Sequence, residues 1–390
     1  MDKVFKNKIV MFIMILFFFK PICFQYFSNM QIVEDFFVFG KIFVSIIIIF
    51  HTAILMYPKC RINRLLIKVF LFEFWIFIVT IYFKGAISRS IIDFVSTITI
   101  MLMIIKLFRY DKIKFLSTFK NVLFTCVICQ LFSEIIWPNG MPADLYKNNE
   151  YNPLFFMTLD NGTTNLVCLC ISLVFLNLIY SAKKRYILLK SYFEIIICLL
   201  TALLSGSTTA FLCACLIVLF YILSKPKNFK IFESGKFLFL CYIIVSIILF
   251  CENNIFSSLF ELLTGKEGFT GRSLLWSNSI QLIKKSPIIG YGMKNIGYLS
   301  VWGGYFSSHN IILEMLLQGG IIALILWISS LLDCFSCLKK IDNKMIKRIL
   351  VSTIFVILIA FMMEAMVHSV YLFSVMALIK AFSEVKEINE

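Results

Sequence analysis

Apolar residues run along this chain in blocks too long for any water-soluble core. IVMFIMILFFF opens the series, and runs of similar character recur to the C-terminal end. Most approach or exceed the ~20 residues that carry a helix across a bilayer. Reading the blocks against the polar segments between them predicts twelve spans. They cover roughly 9–27, 36–57, 66–83, 91–108, 115–137, 163–181, 191–205, 208–224, 237–252, 311–331, 349–367 and 369–382. The expected fold class is an all-α polytopic integral membrane protein forming a single transmembrane domain over 1–390. Lys3, Lys6 and Lys8 precede the first block as they would in a signal peptide, but no small-residue cleavage site follows. The apolar character continues through KPICFQYF, so the block reads as a retained span.

Two segments break the rhythm. One is 138–164, whose Pro, Asn and Gly content reads as irregular loop. The other separates spans nine and ten and covers 253–310. Its Trp, Tyr, Leu and Ile argue for an ordered segment packed on the bundle, and long ordered loops are commonly functional.

Composition agrees with the pattern: the chain is 60% hydrophobic, with mean hydropathy +0.92. Its net charge of +15 raises the question of nucleic acid. The basic clusters, among them KVFKNK, PKCRINR, KLFRYDKIK, AKKRYILLK and KKIDNKMIKR, fall at every second loop. That is the positive-inside pattern, so topology accounts for the basicity and nucleic acid is excluded as a partner. With an even span count both termini lie in the cytoplasm, and 138–164 and 253–310 lie outside. Of the thirteen cysteines, most sit within apolar runs. Cys126/Cys129 and Cys334/Cys337 have CxxC spacing, but no second pair or nearby histidine completes a zinc site. Neither a metal nor a disulfide is expected.

Candidate chemistry concentrates in the long loop. GRSLLWSNSIQLIKKSP reads as a helix ending before Pro287. Leu275, Trp276, Ile280, Leu282 and Ile283 share one face; Ser273, Ser277, Gln281, Lys284 and Lys285 share the other. Arg272 admits two readings: a guanidinium aimed inward at an anion, or a solvated residue just before the helix. Gly290 and Gly292 in PIIGYGMKN permit tight backbone beside Lys294. In SSHNIILEMLLQGG, Ser308 or Asn310 can cap span ten, with His309 at its mouth and Glu314 four residues below Asn310. A helix start is a natural seat for phosphate. Arg272, Lys284, Lys285, Lys294 and His309 therefore point to a membrane-level site for anions. His51, within a span, and His368, in a short turn near Glu364, are explained by packing or local hydrogen bonds.

The order GR, W, SPIIGYG, SHN, E, GG between two spans resembles the signature loop of the O-antigen ligase/polymerase superfamily of bacterial polysaccharide enzymes. DNGTTNLVCL at 160–169 resembles its start of the middle span, and LTALLSGSTTAF at 200–211 its SGS turn. The resemblance implies a GT-C-like bundle in the cytoplasmic membrane. It implies metal-independent, cofactor-free glycosyl transfer from a polyprenyl-pyrophosphate-linked oligosaccharide. Arg272 would clamp the pyrophosphate. His309 would orient or deprotonate the acceptor hydroxyl, or bind phosphate, and Glu314 would orient His309 or serve as base. Lys284, Lys285, Lys294, Asn310, Gly290 and Gly292 would bind substrate. Asp160, Asn161 and Ser207 are secondary candidates, although capping of the sixth span accounts equally for Asp160 and Asn161. No DxD pair occurs in the external loops, so the chain offers no evident Mg²⁺ site. Ligases of the superfamily often carry Arg after the GS turn. Here Thr208 and Thr209 follow, which favours a Wzy-type polymerase whose acceptor is another lipid-linked unit. A ligase acting on lipid A core or protein is the alternative, and a flippase the alternative of another class. A flippase would need a cationic cavity through the midplane, where this chain has only scattered lysines near span ends. A chain-length regulator and a flippase are the further partners the resemblance brings in.

Overall fold

The computed structural model describes residues 5–27, 30–56, 63–142, 153–159, 161–181, 185–224, 233–250, 272–295, 297–301 and 304–385. Helices dominate. In chain order they are α1 (Lys8–Leu16), α2 (Cys23–Tyr26), α3 (Gln31–Met56), α4 (Arg64–Tyr82), α5 (Ile87–Tyr110), α6 (Lys112–Ile136) and α7 (Thr163–Ser181). There follow α8 (Arg185–Leu204), α9 (Thr208–Ser224), α10 (Gly235–Phe250), α11 (Arg272–Lys285), α12 (Ile311–Leu338), α13 (Lys344–Ala360) and α14 (Val370–Glu384). One small antiparallel hairpin, β1 (Leu299–Val301) and β2 (Gly304–Phe306), lies between α11 and α12. Among the described residues six helices, α4 to α8 and α12, are long and apolar enough to cross a membrane. The chain is an all-α polytopic membrane protein.

α7 forms the centre. Its apolar window is 83% buried, against 33% for α8, because it packs on α6, α8, α9 and α13. α4, α5, α12 and α14 make a second group, joined by α4 with α12, α4 with α5, and α5 with α14. Apolar residues face outward elsewhere, as on α3, where Ile32, Phe36, Phe39, Phe43 and Ile46 are exposed. In water such a face would be a liability; in lipid it is the solvent contact. Two ion pairs tie the elements together: Lys120 of α6 meets Glu194 of α8, and Arg348 of α13 meets Glu233.

Two predicted spans are corrected. The block at 9–27 is not one helix. α1 stops at Leu16, and the chain turns through Lys20–Pro21, where proline removes a donor and disfavours helix in the residue before it. The amides of Ile22 and Cys23 bond the carbonyls of Met157 and Phe156 instead, at 3.2 and 3.3 Å. The block at 349–367 likewise ends early. α13 closes at Ala360, and 361–369 runs as irregular chain before Ser369 caps α14 through the Leu372 amide. Glu364 and His368 therefore lie on a loop at the end of the bundle, not on helices.

α12 is broken in its middle. Gly320 has φ 63° and ψ −161°, a backbone conformation essentially restricted to glycine. The break frees backbone groups, and residues 287–292 of the long loop satisfy them. Tyr291 and Gly292 donate their amides to Leu317 and Gln318 carbonyls at 2.7 and 2.9 Å, and the Ile321 amide bonds Pro287 at 2.9 Å. The Trp75 indole of α4 takes the Gly319 carbonyl at 2.8 Å. Irregular backbone is tolerated at membrane depth only when protein covers it in this way.

Candidate active site

α11 and the β1–β2 hairpin seat the long loop on this broken helix. Leu275, Tyr298, Leu299, Val301 and Leu317 form one small core, with Leu282, Ile283, Tyr291 and Phe306 packed against it. The buried face of α11 carries Leu275, Trp276 and Ser279. Arg272, the first residue of α11, falls on that side. Of its two sequence readings the structure has the inward one: the guanidinium is 15% exposed, with Nη2 3.5 Å from Glu364 Oε1. Gly271 and the preceding part of the loop, 253–270, lie outside the described residues, as does Asp160.

His309 meets the same carboxylate from the other side, with Nδ1 3.7 Å from Glu364 Oε2. Its backbone φ of 47° is left-handed, uncommon for a residue with a side chain. Bonds on both sides hold it there. Ser308 donates its amide and hydroxyl to Glu314 Oε2, each at 2.9 Å, and Asn310 caps α12 by accepting from Ile312 and Leu313 at 3.0 and 3.2 Å. The strain and the convergence on Glu364 make this corner the strongest candidate in the described residues.

Several expected roles change once partners are assigned. The start of α12 is not an open phosphate seat. Its Ile311 amide bonds the Phe361 carbonyl at 3.0 Å, and Asn310 takes the next two. Asn310 itself is 2% exposed, and its Nδ2 donates to the Met362 carbonyl at 3.1 Å, so its carboxamide is occupied at both ends. Asn310→Ala is expected to cost about 1–2 kcal/mol of stability, read as an earlier thermal transition in detergent. The amides of Gly290 and Gly292 are likewise engaged, with the carbonyls of Ser286 and Gln318. These glycines serve close approach: a Cβ on Gly292 would stand 2.6 Å from Thr80 Cα. Glu314 faces Ser308 and receives Gln318 Nε2 at 3.4 Å; the acid that faces His309 is Glu364. Lys284 and Lys285 are exposed at the C-terminal end of α11.

Beside the Arg272–Glu364–His309 corner lies a cavity of about 520 Å³, lined among others by Arg89, Asp93, Lys294, Glu314, Gln318 and His368. Ser307, two residues before His309, and Ala365, which follows Glu364, belong to its lining, so the chain runs directly from the corner to the cavity. His368 bonds Glu73 of α4 through Nδ1 at 2.8 Å and Gln318 Oε1 through Nε2 at 3.1 Å. Burial depresses its proton affinity, but the Glu73 charge and hydrogen bond, with Asp93 adding, overcome this and hold it above the ordinary histidine value. A smaller space of about 340 Å³, lined by Phe83, Lys84 and Tyr291, shares Lys294, Asn295 and Gly297 with the first.

Sequence reading missed Glu73, Arg89, Asp93 and Glu364, and set His368 aside. Only Arg89 and Asp93 carried a local signal, opposite charges four apart at a span's start. Asn161 and Ser207 do come together, with Ser207 Oγ donating to Asn161 Oδ1 at 2.8 Å where α7 and α9 begin. Among the described residues no group of three or more His, Cys, Asp or Glu is arranged to hold a metal ion.

Residues 193–328 match the family model described as O-antigen ligase. No curated protein matches the chain. The matched segment runs from α8 to α12 and so includes Arg272 and His309. Glu73, Arg89, Glu364 and His368 lie outside it.

Proposed function

We propose that this chain, whose residues 193–328 match the O-antigen ligase family model, is a polysaccharide polymerase of the O-antigen ligase/polymerase superfamily. It joins polyprenyl-pyrophosphate-linked oligosaccharide repeat units at the outer face of the cytoplasmic membrane. The observation that carries the reading is the meeting of Arg272 and His309 over Glu364, one residue along the chain from the lining of a polar cavity, on a bundle that faces lipid. Transfer breaks a sugar–pyrophosphate bond, so negative charge grows on a lipid-borne leaving group. A cation held beforehand at that level stabilises the developing charge without reorganising. Glu364 holds Arg272 and His309 in position until the pyrophosphate arrives and takes the Arg272 fork.

The choice of polymerase rests on the turn at Gly206–Ser207. Its Ser207 hydroxyl is bound to Asn161, and Thr208 and Thr209 follow, so the turn supplies hydroxyls where a ligase-type arginine would supply charge. Lys294 lines the cavity and is the loop lysine placed to meet substrate. Lys284 and Lys285, being exposed, attract anionic headgroups or substrate at long range. Replacing both by Ala is expected to lower polymer yield less than about 5-fold, the worth of a screened surface charge or two.

Surface polysaccharide from a strain deleted for this gene tests the reading. A polymerase leaves single repeat units on the acceptor, with the long ladder returning on complementation. Acceptor bearing no repeat, with lipid-linked polymer accumulating, makes the protein a ligase. Lipid-linked units trapped inside make it a flippase.

A further inference from the structure

A transferase needs a group that removes the acceptor hydroxyl's proton, and at the Arg272 corner the His309 Nδ1 makes no hydrogen bond among the described residues that would fix its ring. His309 and Arg272 both address Glu364, while Glu314 is tied to Ser308 and Gln318. His368 differs. It lines the cavity, and its ring is fixed from behind by a carboxylate that is itself 1% exposed. We propose that His368 is the catalytic base of this site, with Glu73 as its positioning carboxylate and Gln318 as the partner that the acceptor hydroxyl displaces. The inference rests on the transferase reading above and adds to it the residue that handles the proton.

The geometry is that of a carboxylate–imidazole pair. Glu73 Oε2 at 2.8 Å from Nδ1 keeps the proton on Nδ1 and leaves Nε2 toward Gln318 and the cavity. Gln318 suits both protonation states. Its Oε1, at 3.1 Å, accepts from a protonated Nε2, and a half-turn of the carboxamide offers an N–H to the neutral ring. In the step itself the acceptor oxygen forms its bond to the donor's anomeric carbon as its O–H bond breaks. The proton passes to His368 Nε2. The bond from that carbon to the pyrophosphate oxygen breaks, and its electron pair leaves with the polyprenyl pyrophosphate held at Arg272.

The charged and titratable groups facing His368 come from every element around it. They are Glu73 on α4, Arg89 and Asp93 on α5, Lys294 and Tyr298 in the long loop, Glu314 on α12 and Tyr371 on α14. Glu73 and Asp93 favour the protonated ring, and Arg89 opposes it. Removing the Glu73 charge therefore lowers the ring's proton affinity and extends activity to more acid pH, while weakening the base.

The test uses the full chain in lipid nanodiscs and in the deleted strain, with wild type, His368→Gln, Glu73→Gln and the double variant. The chain has three histidines, so ¹⁵N-histidine labelling resolves the imidazoles, and His368→Gln assigns the third. Expected results are a kcat loss of about 10²–10⁴-fold for His368→Gln at unchanged KM, the range for loss of a general base. Glu73→Gln should shift the His368 titration and the acid limb of kcat to lower pH together, and should cost little on top of His368→Gln. A wild-type ladder from His368→Gln overturns the assignment. So does a Glu73→Gln protein whose imidazole titration moves while the acid limb stays. If wild type restores no polymer in the deleted strain, the polymerase reading fails first and takes the base with it, an outcome distinct from a working wild type with an equally working His368→Gln.

Discussion

Arg272→Ala is expected to lower polymer formation by about 10²–10³-fold while the protein still folds and reaches the membrane. The size follows from what one preorganised donor is worth in a water-poor site, ~3–4 kcal/mol of transition-state stabilisation. The folding half of the expectation follows from the contacts. Arg272 is the first residue of α11, and its guanidinium projects to Glu364, while Leu275, Trp276 and Ser279 anchor the helix. Loss should appear in kcat, because a charge that grows in the transition state is what the cation meets. Arg272→Lys should recover only part of the rate, since an ammonium replaces a planar fork. Glu364→Gln, which removes the resting partner, should be milder than Arg272→Ala. Rates from purified protein, normalised to folded protein, check all three. A polymerisation rate for Arg272→Ala within 3-fold of wild type would remove Arg272 from the chemistry.

The second large effect is on stability. Gly320→Ala places a Cβ 2.1 Å from the Ile288 carbonyl oxygen, at a backbone conformation with φ 63°. The strain alone costs about 1–3 kcal/mol. Relieving the clash means lifting residues 287–292 off α12, which breaks the amide bonds to Leu317 and Gln318 in buried surroundings, about 1–3 kcal/mol for each group left unpaired. The thermal transition should fall by roughly 5–10 °C, and transfer should be lost as α11 separates from the cavity. Gly206→Ala is the control. It too has positive φ, 72°, but nothing stands within 4 Å of its Cβ position, so only about 1 kcal/mol is at stake. Equal shifts for the two variants would refute the docking account and leave backbone strain as the sole cause.

The contrast between these glycines shows what a sequence carries and what it does not. Hydropathy periodicity located the helices because lipid imposes length and apolarity on each one independently. Arg272 and His309 draw attention in the sequence because they stand out as polar residues in an oily chain. The partners were not, since each is fixed by a tertiary contact. Glu364 and His368 sit in FMMEAMVHSV, apolar enough to extend α13, and only the structure ends that helix at Ala360. Glu73 lies inside an ordinary span, 295 positions from the imidazole it holds. Gly290 and Gly292 announced tight backbone, but a phosphate and another backbone make the same demand on glycine, and here the backbone of α12 and α4 fills the space. Of the two caps the sequence offers, Ser308 and Asn310, the structure has Asn310, whose carboxamide oxygen is taken up by the Ile312 and Leu313 amides.

The most direct measurement is reconstitution: purified protein in nanodiscs, with polyprenyl-pyrophosphate-linked repeat units as the sole sugar substrate and no other protein. The account predicts lipid-linked dimers and longer chains, one free polyprenyl pyrophosphate released per bond formed, and no product from Arg272→Ala. Transfer only to an added acceptor that lacks polyprenyl pyrophosphate, or no pyrophosphate release at all from folded wild type, would contradict it.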